Sequence, residues 1–411
     1  MKAVGLIVEY NPFHNGHAFH LQASKEAAGA DVVIAVMSGN FLQRGEPALV
    51  SKWYRTQMAL LNGVDLVFEL PYRFAVQKAE TFASGAVSIL DATGCEALCF
   101  GSESGDLTSF LQTISFLKEN QQLFDASIKQ HMENGVSYPK AIALSYQGLS
   151  GSDQFLNLAK PNNILGFQYM KAILEQNSQL KPLTVARKNA DYHDEHFASE
   201  TIASATSIRK AIFSEEEMHS PNIEQYVPEP TNRLLQEYKQ RFGSYHHWEN
   251  YWDLLQYKLI TSSADELKNI YEMEEGLENR LVDAALTSAD FKEYMDNIKT
   301  KRYTWTRLQR LSVHVLTNAK KTDMKNSVQA EYLRLLGMTQ TGKDYLNKMK
   351  KHFSLPIISK LSAFKEKEIL LDIKATRIYA MAFQKHIRKQ MIRQEFNQPP
   401  IFIQKRLGQN P

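Results

Sequence analysis

An apolar run, Ala3 to Val8, followed at once by Glu9-Tyr10-Asn11-Pro12-Phe13-His14-Asn15-Gly16-His17, constrains this chain more than any other stretch. The run is short, uninterrupted and partly β-branched, the pattern of a strand buried on both faces. Pro12 removes a backbone donor and biases its neighbour away from helix, so the strand stops there. A helix then begins near Asn15-Gly16 and runs through His20, Leu21, Ser24 and Ala28. Strand, tight turn and helix N-terminus, in that order, gather N–H groups and a positive dipole end where a phosphate can bind. His14 and His17, three apart, share one face of the first turn and point at the anion the helix would hold.

The same unit repeats through the first half. Asp31–Met37, Asp65–Leu70 and Glu96–Phe100 read as further strands, with helices at Ser51–Leu61 and Lys78–Ala92 between them. Near-continuous apolar strands alternating with helices predict a parallel sheet covered on both faces. Right-handed crossovers put the strand C-terminal ends, and with them the binding crevice, along one edge. The segments 37–47, 70–77 and 101–106 all leave those ends. Beyond them the spacing predicts helices from Leu107 to about Leu149, a helix over Ile164–Leu174 and a fifth strand at Leu183–Ala186.

After Phe213 the cluster Glu215-Glu216-Glu217 and three prolines, Pro221, Pro228 and Pro230, mark a boundary. The rest is helical by period with no strand alternation. The expected fold class is therefore α/β: a Rossmann-like parallel-sheet domain over 1–213, then an all-α domain over 214–411. The formal net charge is only +3, yet residues 214–300 carry −10 and residues 301–411 carry +16. A basic last quarter on a near-neutral protein is the signature of a polyanion partner. Lys301-Arg302-Tyr303-Thr304-Trp305-Thr306-Arg307 and Arg310 interleave cations with aromatics, as surfaces that bind phosphate and stack bases do. Lys385, Arg388, Lys389 and Arg393 recur at helical spacing and predict a basic stripe.

The only cysteines, Cys95 and Cys99, flank a strand-like run and read as small core side chains. No run approaches the roughly 20 apolar residues of a membrane span. Together these features predict a cytoplasmic protein with no membrane partner.

His14-Asn15-Gly16-His17 fits H-x-G-H. Its glycine lets a nucleotide approach the backbone, and the imidazoles can stabilise charge on an α-phosphate under in-line attack. Ser204-x-Thr206-Ser207-Ile208-Arg209 places hydroxyls at a helix start before an arginine, a second anion clamp. Together the two motifs resemble the nucleotidyltransferase superfamily related to class I aminoacyl-tRNA synthetase cores. Three runs narrow the resemblance: VGLIVEYNPFHNGHAFHL, the loop Met37 to Pro47, and Lys160-Pro161-Asn162-Asn163-Ile164-Leu165-Gly166. In these the chain is similar to the bacterial tRNA(Met) cytidine acetate ligase family. Ala205 stands where many superfamily relatives carry glycine or serine.

The resemblance implies an ATP-dependent ligase. Acetate attacks the α-phosphate of ATP, and the acetyl group of the resulting adenylate passes to N4 of the wobble cytidine of elongator tRNA(Met). It also implies an ATP site over Ile7, Val8, Glu9, Tyr10, Asn11, Pro12, Phe13, His14, Asn15, Gly16, His17, Ala18, Phe19 and His20. Gly101, Asn162, Arg187, Lys188 and Ser207 join it, with His14 and His17 catalytic. Arg44, on the loop after the second strand, is the candidate for the acetate carboxylate. Magnesium is expected with ATP from phosphate chemistry, and no residue is assigned as a metal ligand. From the residues alone two other readings stay open: a nucleotidyltransferase that adenylylates a small cofactor precursor, and a non-catalytic RNA-binding protein on a nucleotide fold.

Overall fold

A computed structural model describes residues 1–186, 203–214, 223–274, 276–324, 328–364 and 367–404. The first half alternates as its periodicity predicts: β1 (Ala3–Val8), α1 (Asn15–Ala28), β2 (Val32–Ser38), α2 (Lys52–Leu61), β3 (Leu66–Leu70), α3 (Tyr72–Ala75), α4 (Ala79–Ala92) and β4 (Ala97–Ser102). Three helices follow, α5 (Leu107–Glu119), α6 (Gln121–Glu133) and α7 (Tyr138–Gln147), then α8 (Pro161–Glu175), β5 (Lys181–Ala186) and α9 (Ala205–Phe213). The helical region comprises α10 (Glu229–Phe242), α11 (Trp252–Thr261), α12 (Ala264–Lys268), α13 (Leu277–Thr287), α14 (Phe291–Ile298) and α15 (Trp305–Thr317). The chain closes with β6 (Leu333–Thr339), α16 (Gln340–Met349), β7 (Ile357–Ile358), α17 (Leu370–Tyr379), α18 (Lys385–Asn397) and β8 (Ile401–Ile403).

The sheet runs β5-β4-β1-β2-β3-β6-β7, with β8 paired to β6. The five strands of the first half are all parallel. Strand order reverses at β1, which has β2 on one side and β4 on the other. That is the switch point where crossovers to opposite faces leave a crevice beyond the strand ends. Side chains alternate across the sheet as a period of two requires. Val4, Leu6, Val33, Ala35 and Val67 enter one buried cluster, shared with α10 to α15, whereas Ala3, Val32, Ile34, Leu66 and Phe68 enter the other, under α4 and α8.

The helical expectation for the second half needs one correction, because β6, β7 and β8 belong to the sheet. β6 lies antiparallel to β3, pairing Glu69 with Arg334 and Leu66 with Met338. Its LRLLGMT run is almost wholly buried, so it lacks the alternation that marks a half-exposed strand, and β7 and β8 are too short to show a period. Gly337 lets this strand pass under α2: a Cβ there would sit 2.7 Å from Thr56 Cγ2 and 2.8 Å from Leu60 Cδ1.

A buried ionic cluster ties the C-terminal segment to the sheet. Lys52 Nζ, wholly inaccessible at the start of α2, lies 2.8 Å from carboxylate oxygens of both Glu69 on β3 and Glu395 on α18. Burial by itself lowers the Lys52 pKa, but Glu395 and Glu69 outweigh it and the net shift is upward, so the ammonium persists. Arg334 Nη2 reaches the Glu395 backbone carbonyl at 3.3 Å.

The loop after β2 is pinned from the helical side. Trp248 Nε1 donates to the Gly45 carbonyl at 3.0 Å, and Tyr379 Oη donates to the Ala48 carbonyl at 2.7 Å. Gly45 has φ +78° and lies so close to α15 that a Cβ would stand 2.3 Å from the Arg310 backbone nitrogen.

Two stability outcomes follow. Lys52→Met leaves Glu69 buried without its counter-ion and Glu395 with only Arg334 at 3.9 Å, and it lowers unfolding free energy by about 3–5 kcal/mol in denaturant titration. Gly45→Ala, strained in φ and blocked by backbone, costs at least about 1 kcal/mol in the same measurement.

Candidate active site

The crevice beyond β1 and β4 is a cavity of about 280 Å³. Its floor is the turn from β1 into α1. Tyr10, buried, takes a left-handed φ of 50°, and the Asn11–Pro12 peptide is cis. A non-glycine residue held in that region is sparsely populated elsewhere and clusters at functional sites. Asn11 Oδ1 accepts the Leu49 N–H at 2.7 Å, which fastens the turn to the loop after β2.

Helix α1 opens on a cap made from imidazoles. His14 is the N-cap, and its Nδ1 accepts the Gly16 N–H at 3.1 Å. His17 returns the favour, its Nδ1 accepting the His14 N–H at 3.3 Å. Each ring nitrogen that accepts must be unprotonated, so both neutral rings carry their proton on Nε2. The rings stack with centroids 3.7 Å apart, and Tyr10 meets His17 edge-on at 4.9 Å. Two N–H donors thus stand side by side at the positive end of a helix.

The opposite wall comes from β4, β5, α8 and α9. Phe100, Leu165, Tyr169 and Val185 supply apolar surface, with Gly101 at the end of β4. At α9, Ser204 Oγ accepts the Ser207 N–H at 3.0 Å, and Ser204, Thr206 and Arg209 face the cavity. The Arg209 guanidinium donates to the Asn11 carbonyl at 3.0 Å and to Glu46 Oε2 at 2.9 Å. The α8 N-terminus is already filled by a carboxylate. Glu103 accepts from Asn162 Nδ2 at 2.7 Å, from the Asn162 N–H at 3.1 Å and from the Asn163 N–H at 2.8 Å.

Behind the floor, buried Arg55 donates to the carbonyls of Glu9, Ser38, Gly39 and Val50, locking the ends of β1 and β2 together. Burial pushes its pKa down to about 10, which still leaves it charged near neutrality. Glu9 Oε1 accepts the Gln43 N–H at 2.7 Å and lies 3.4 Å from Ser38 Oγ. Burial raises the Glu9 carboxyl above its ordinary value.

Of the residues expected from sequence, Ile7, Val8, Glu9, Tyr10 and Asn11 line the cavity, as do His14, Gly16, His17, Phe19 and His20. Gly101, Asn162 and Arg44 line it too. Pro12, Phe13, Asn15, Ala18 and Ser207 are not in its wall. Phe13 is core, Asn15 Nδ2 donates to the Gln225 carbonyl at 2.8 Å, and Ser207 is buried behind Ser204. Arg187 and Lys188 fall outside the described residues. Sequence reasoning missed Glu46 and the apolar wall of Phe100, Leu165, Tyr169 and Val185. Glu46 lies in the nominated segment 37–47 but was not singled out there, since its partner Arg209 is remote in sequence.

The basic last quarter is less free than its composition suggests. Arg310 is buried and bonded to Glu272 at 3.1 Å, and Arg307 pairs with Glu274 at 2.5 Å while lying 4.7 Å from the Tyr303 ring centroid. The expected cation–aromatic surface over 301–310 is therefore partly internal, neutralised by the preceding acidic segment. On α18, Arg388 turns inward to the carbonyls of Met381 and Phe383 at 3.2 and 3.0 Å. Lys385, Lys389 and Arg393, at i, i+4 and i+8, are exposed and form the stripe. Cys95 and Cys99 are buried in the core, and no group of three His, Cys, Asp or Glu placed to hold a metal occurs among the described residues. No helix among those residues is long and apolar enough to cross a membrane.

Comparison with known proteins places this arrangement. The model of the HIGH Nucleotidyl Transferase family matches residues 1–395. The tRNA(Met) cytidine acetate ligase of Bacillus subtilis (strain 168) is 48% identical over 409 residues, 98% of this chain and 97% of that protein. The protein of the same name from Geobacillus sp. (strain WCH70) is 47% identical over 402 residues, 98% and 100% of the two chains. Among solved structures, Thermotoga maritima TmcAL in its apo form superposes with a TM-score of 0.91 at 33% identity, covering 98% of this chain and 100% of that one. The same protein bound with alpha-thio ATP gives 0.89 at 32% identity. With its imidazole-capped helix at the strand switch point, the chain belongs to the tRNA(Met) cytidine acetate ligase family of HIGH nucleotidyltransferases.

Proposed function

We propose that this protein activates acetate with ATP and transfers the acetyl group to N4 of the wobble cytidine of elongator tRNA(Met). The observation that carries the reading is the pair of Nε2–H donors fixed at the α1 N-terminus by backbone hydrogen bonds to Nδ1. The two imidazoles take α-phosphate oxygens of ATP, and their donors need no reorientation as charge builds there during attack. Ser204, Thr206 and Arg209 receive the remaining phosphates, while Phe100, Leu165 and Tyr169 cover the nucleoside. Acetate is small and anionic, and Arg44 on the loop after β2 supplies its cation. Among the described residues the carboxylates of the pocket wall are Glu9 and Glu46, and Glu46 is paired with Arg209. Magnesium arrives as part of the ATP substrate, which matches its habit of binding through phosphates and water.

The partner surface is the exposed stripe of Lys385, Lys389 and Arg393, where phosphate contacts position a tRNA without reading its sequence.

Incubation with ATP, labelled acetate and tRNA tests the reading: label enters tRNA only when all three are present. ATP–pyrophosphate exchange that ignores acetate points instead to a small-molecule adenylyltransferase, and tRNA binding without ATP turnover to a non-catalytic binder. His17→Ala lowers acetate-dependent exchange at least about 100-fold and leaves tRNA affinity within a few-fold in filter binding. Reversing charge at Lys385 and Lys389 together does the opposite. It weakens tRNA binding, flattens the log–log salt dependence by roughly 1.5 units, and spares exchange.

A further inference from the structure

Acetyl transfer requires a proton acceptor as well as an anion clamp. When the cytidine N4 amine attacks the carbonyl carbon of acetyl-adenylate, a C–N bond forms, the C–O bond to phosphate breaks and AMP leaves. The new amide nitrogen must lose one proton. Most titratable groups in the cavity wall are in the wrong state to take it. His14 and His17 accept backbone N–H groups at Nδ1 and carry protons at Nε2, so the basic nitrogen of each ring is already engaged. His20 has its Nε2 turned down the helix toward Ser24 Oγ, 3.4 Å away. Glu46 is engaged by Arg209 at 2.9 Å. Tyr10 and Tyr169 are held neutral by burial.

We infer that Glu9 is the general base of the acyl-transfer step, taking the N4 proton onto its carboxylate and passing it to solvent after AMP departs. This inference rests on the proposed transfer to cytidine. Glu9 stands at the C-terminal end of β1, in the wall of the same cavity as the two donor imidazoles. Its hydrogen bonds with the described residues both fall on Oε1, to the Gln43 N–H at 2.7 Å and Ser38 Oγ at 3.4 Å. One oxygen therefore fixes the orientation of the carboxylate and the other keeps its capacity for a proton. Charged and titratable neighbours surround it: Arg44 and Glu46 on the loop after β2, Arg55 on α2, and Tyr169 on α8. Burial is the largest influence and Glu46 adds to it, so the carboxyl titrates above the ordinary range, which suits a base working near neutrality.

The sign of the pH effect is fixed by this role. The carboxylate must be ionised to accept the proton, so transfer falls as pH drops through the raised Glu9 value. Adenylate formation needs no such base, because acetate is already an anion, and it lacks this limb.

The experiment measures three rates on wild type, Glu9→Gln and Glu9→Asp: acetate-dependent ATP–pyrophosphate exchange, transfer of labelled acetyl to tRNA, and discharge of the adenylate by hydroxylamine to acetohydroxamate. Hydroxylamine is nucleophilic enough to attack unaided. The expected result is that Glu9→Gln lowers transfer to tRNA at least about 100-fold more than it lowers exchange, removes the acidic limb, and lets hydroxamate formation track exchange. Glu9→Asp retains a carboxylate and with it the pH limb, at reduced rate. Equal loss of exchange and transfer in Glu9→Gln, with its melting temperature unchanged, overturns the inference and makes Glu9 a substrate-positioning group. Survival of the limb in Glu9→Gln also overturns it and points to His20. If Glu9→Gln does not fold, Glu9→Asp decides: a limb absent from its transfer rate, or one present equally in exchange, overturns the assignment. A wild-type protein that exchanges with acetate but never labels tRNA overturns the functional reading beneath it, a failure visible before any variant is made.

Discussion

Lys52 sits in the centre of this molecule with no access to solvent, held between carboxylates contributed by a strand of the first half and the last long helix. A lone ammonium there would be untenable, and either carboxylate without it would be nearly as costly. The cluster ties α18 to the β3 side of the sheet, where β6 pairs antiparallel with β3 and the sheet continues into β7. The site is tied to this cluster, because α2, which begins at Lys52, also carries Arg55, whose guanidinium gathers the carbonyls at the ends of β1 and β2. The buried charge and the brace of the cavity floor thus share the first turn of one helix.

The cavity divides its work by element. Donors fixed at the α1 N-terminus face the place for a phosphoryl group, the apolar wall of α8 and β4 faces the nucleoside, and the loop after β2 brings Arg44 and Glu46. That loop is held on its other face by Trp248 and by the close approach of Gly45 to α15. The polar groups that define reactivity therefore lie on element ends or on a loop pinned by its neighbours, as precise positioning of a reacting group demands.

Much of this was legible in the sequence. The parallel sheet followed from apolar runs alternating with amphipathic ones, and the position of the site followed from H-x-G-H directly after the first strand. Three things were not legible. β6 reads as apolar without alternation because both its faces are buried, so no period distinguishes it from helix. Glu46 and the apolar wall depend on contacts between segments far apart in the chain, which no local pattern encodes. The basic stretch over 301–310 looked like an open surface because composition counts charges without their partners, and Glu272 and Glu274 supply those partners.

The route of the chain through the sheet also sets the order in which the protein can be completed. During synthesis β3 emerges with one edge bare and Lys52 without counter-ions from the C-terminal side, and both stay so until residues 333–339 and then Glu395 have appeared. An unpaired strand edge is a template for association with other chains. Nascent chains halted before residue 333 carry an open edge on β3, and those halted before α18 leave Lys52 with Glu69 but without Glu395.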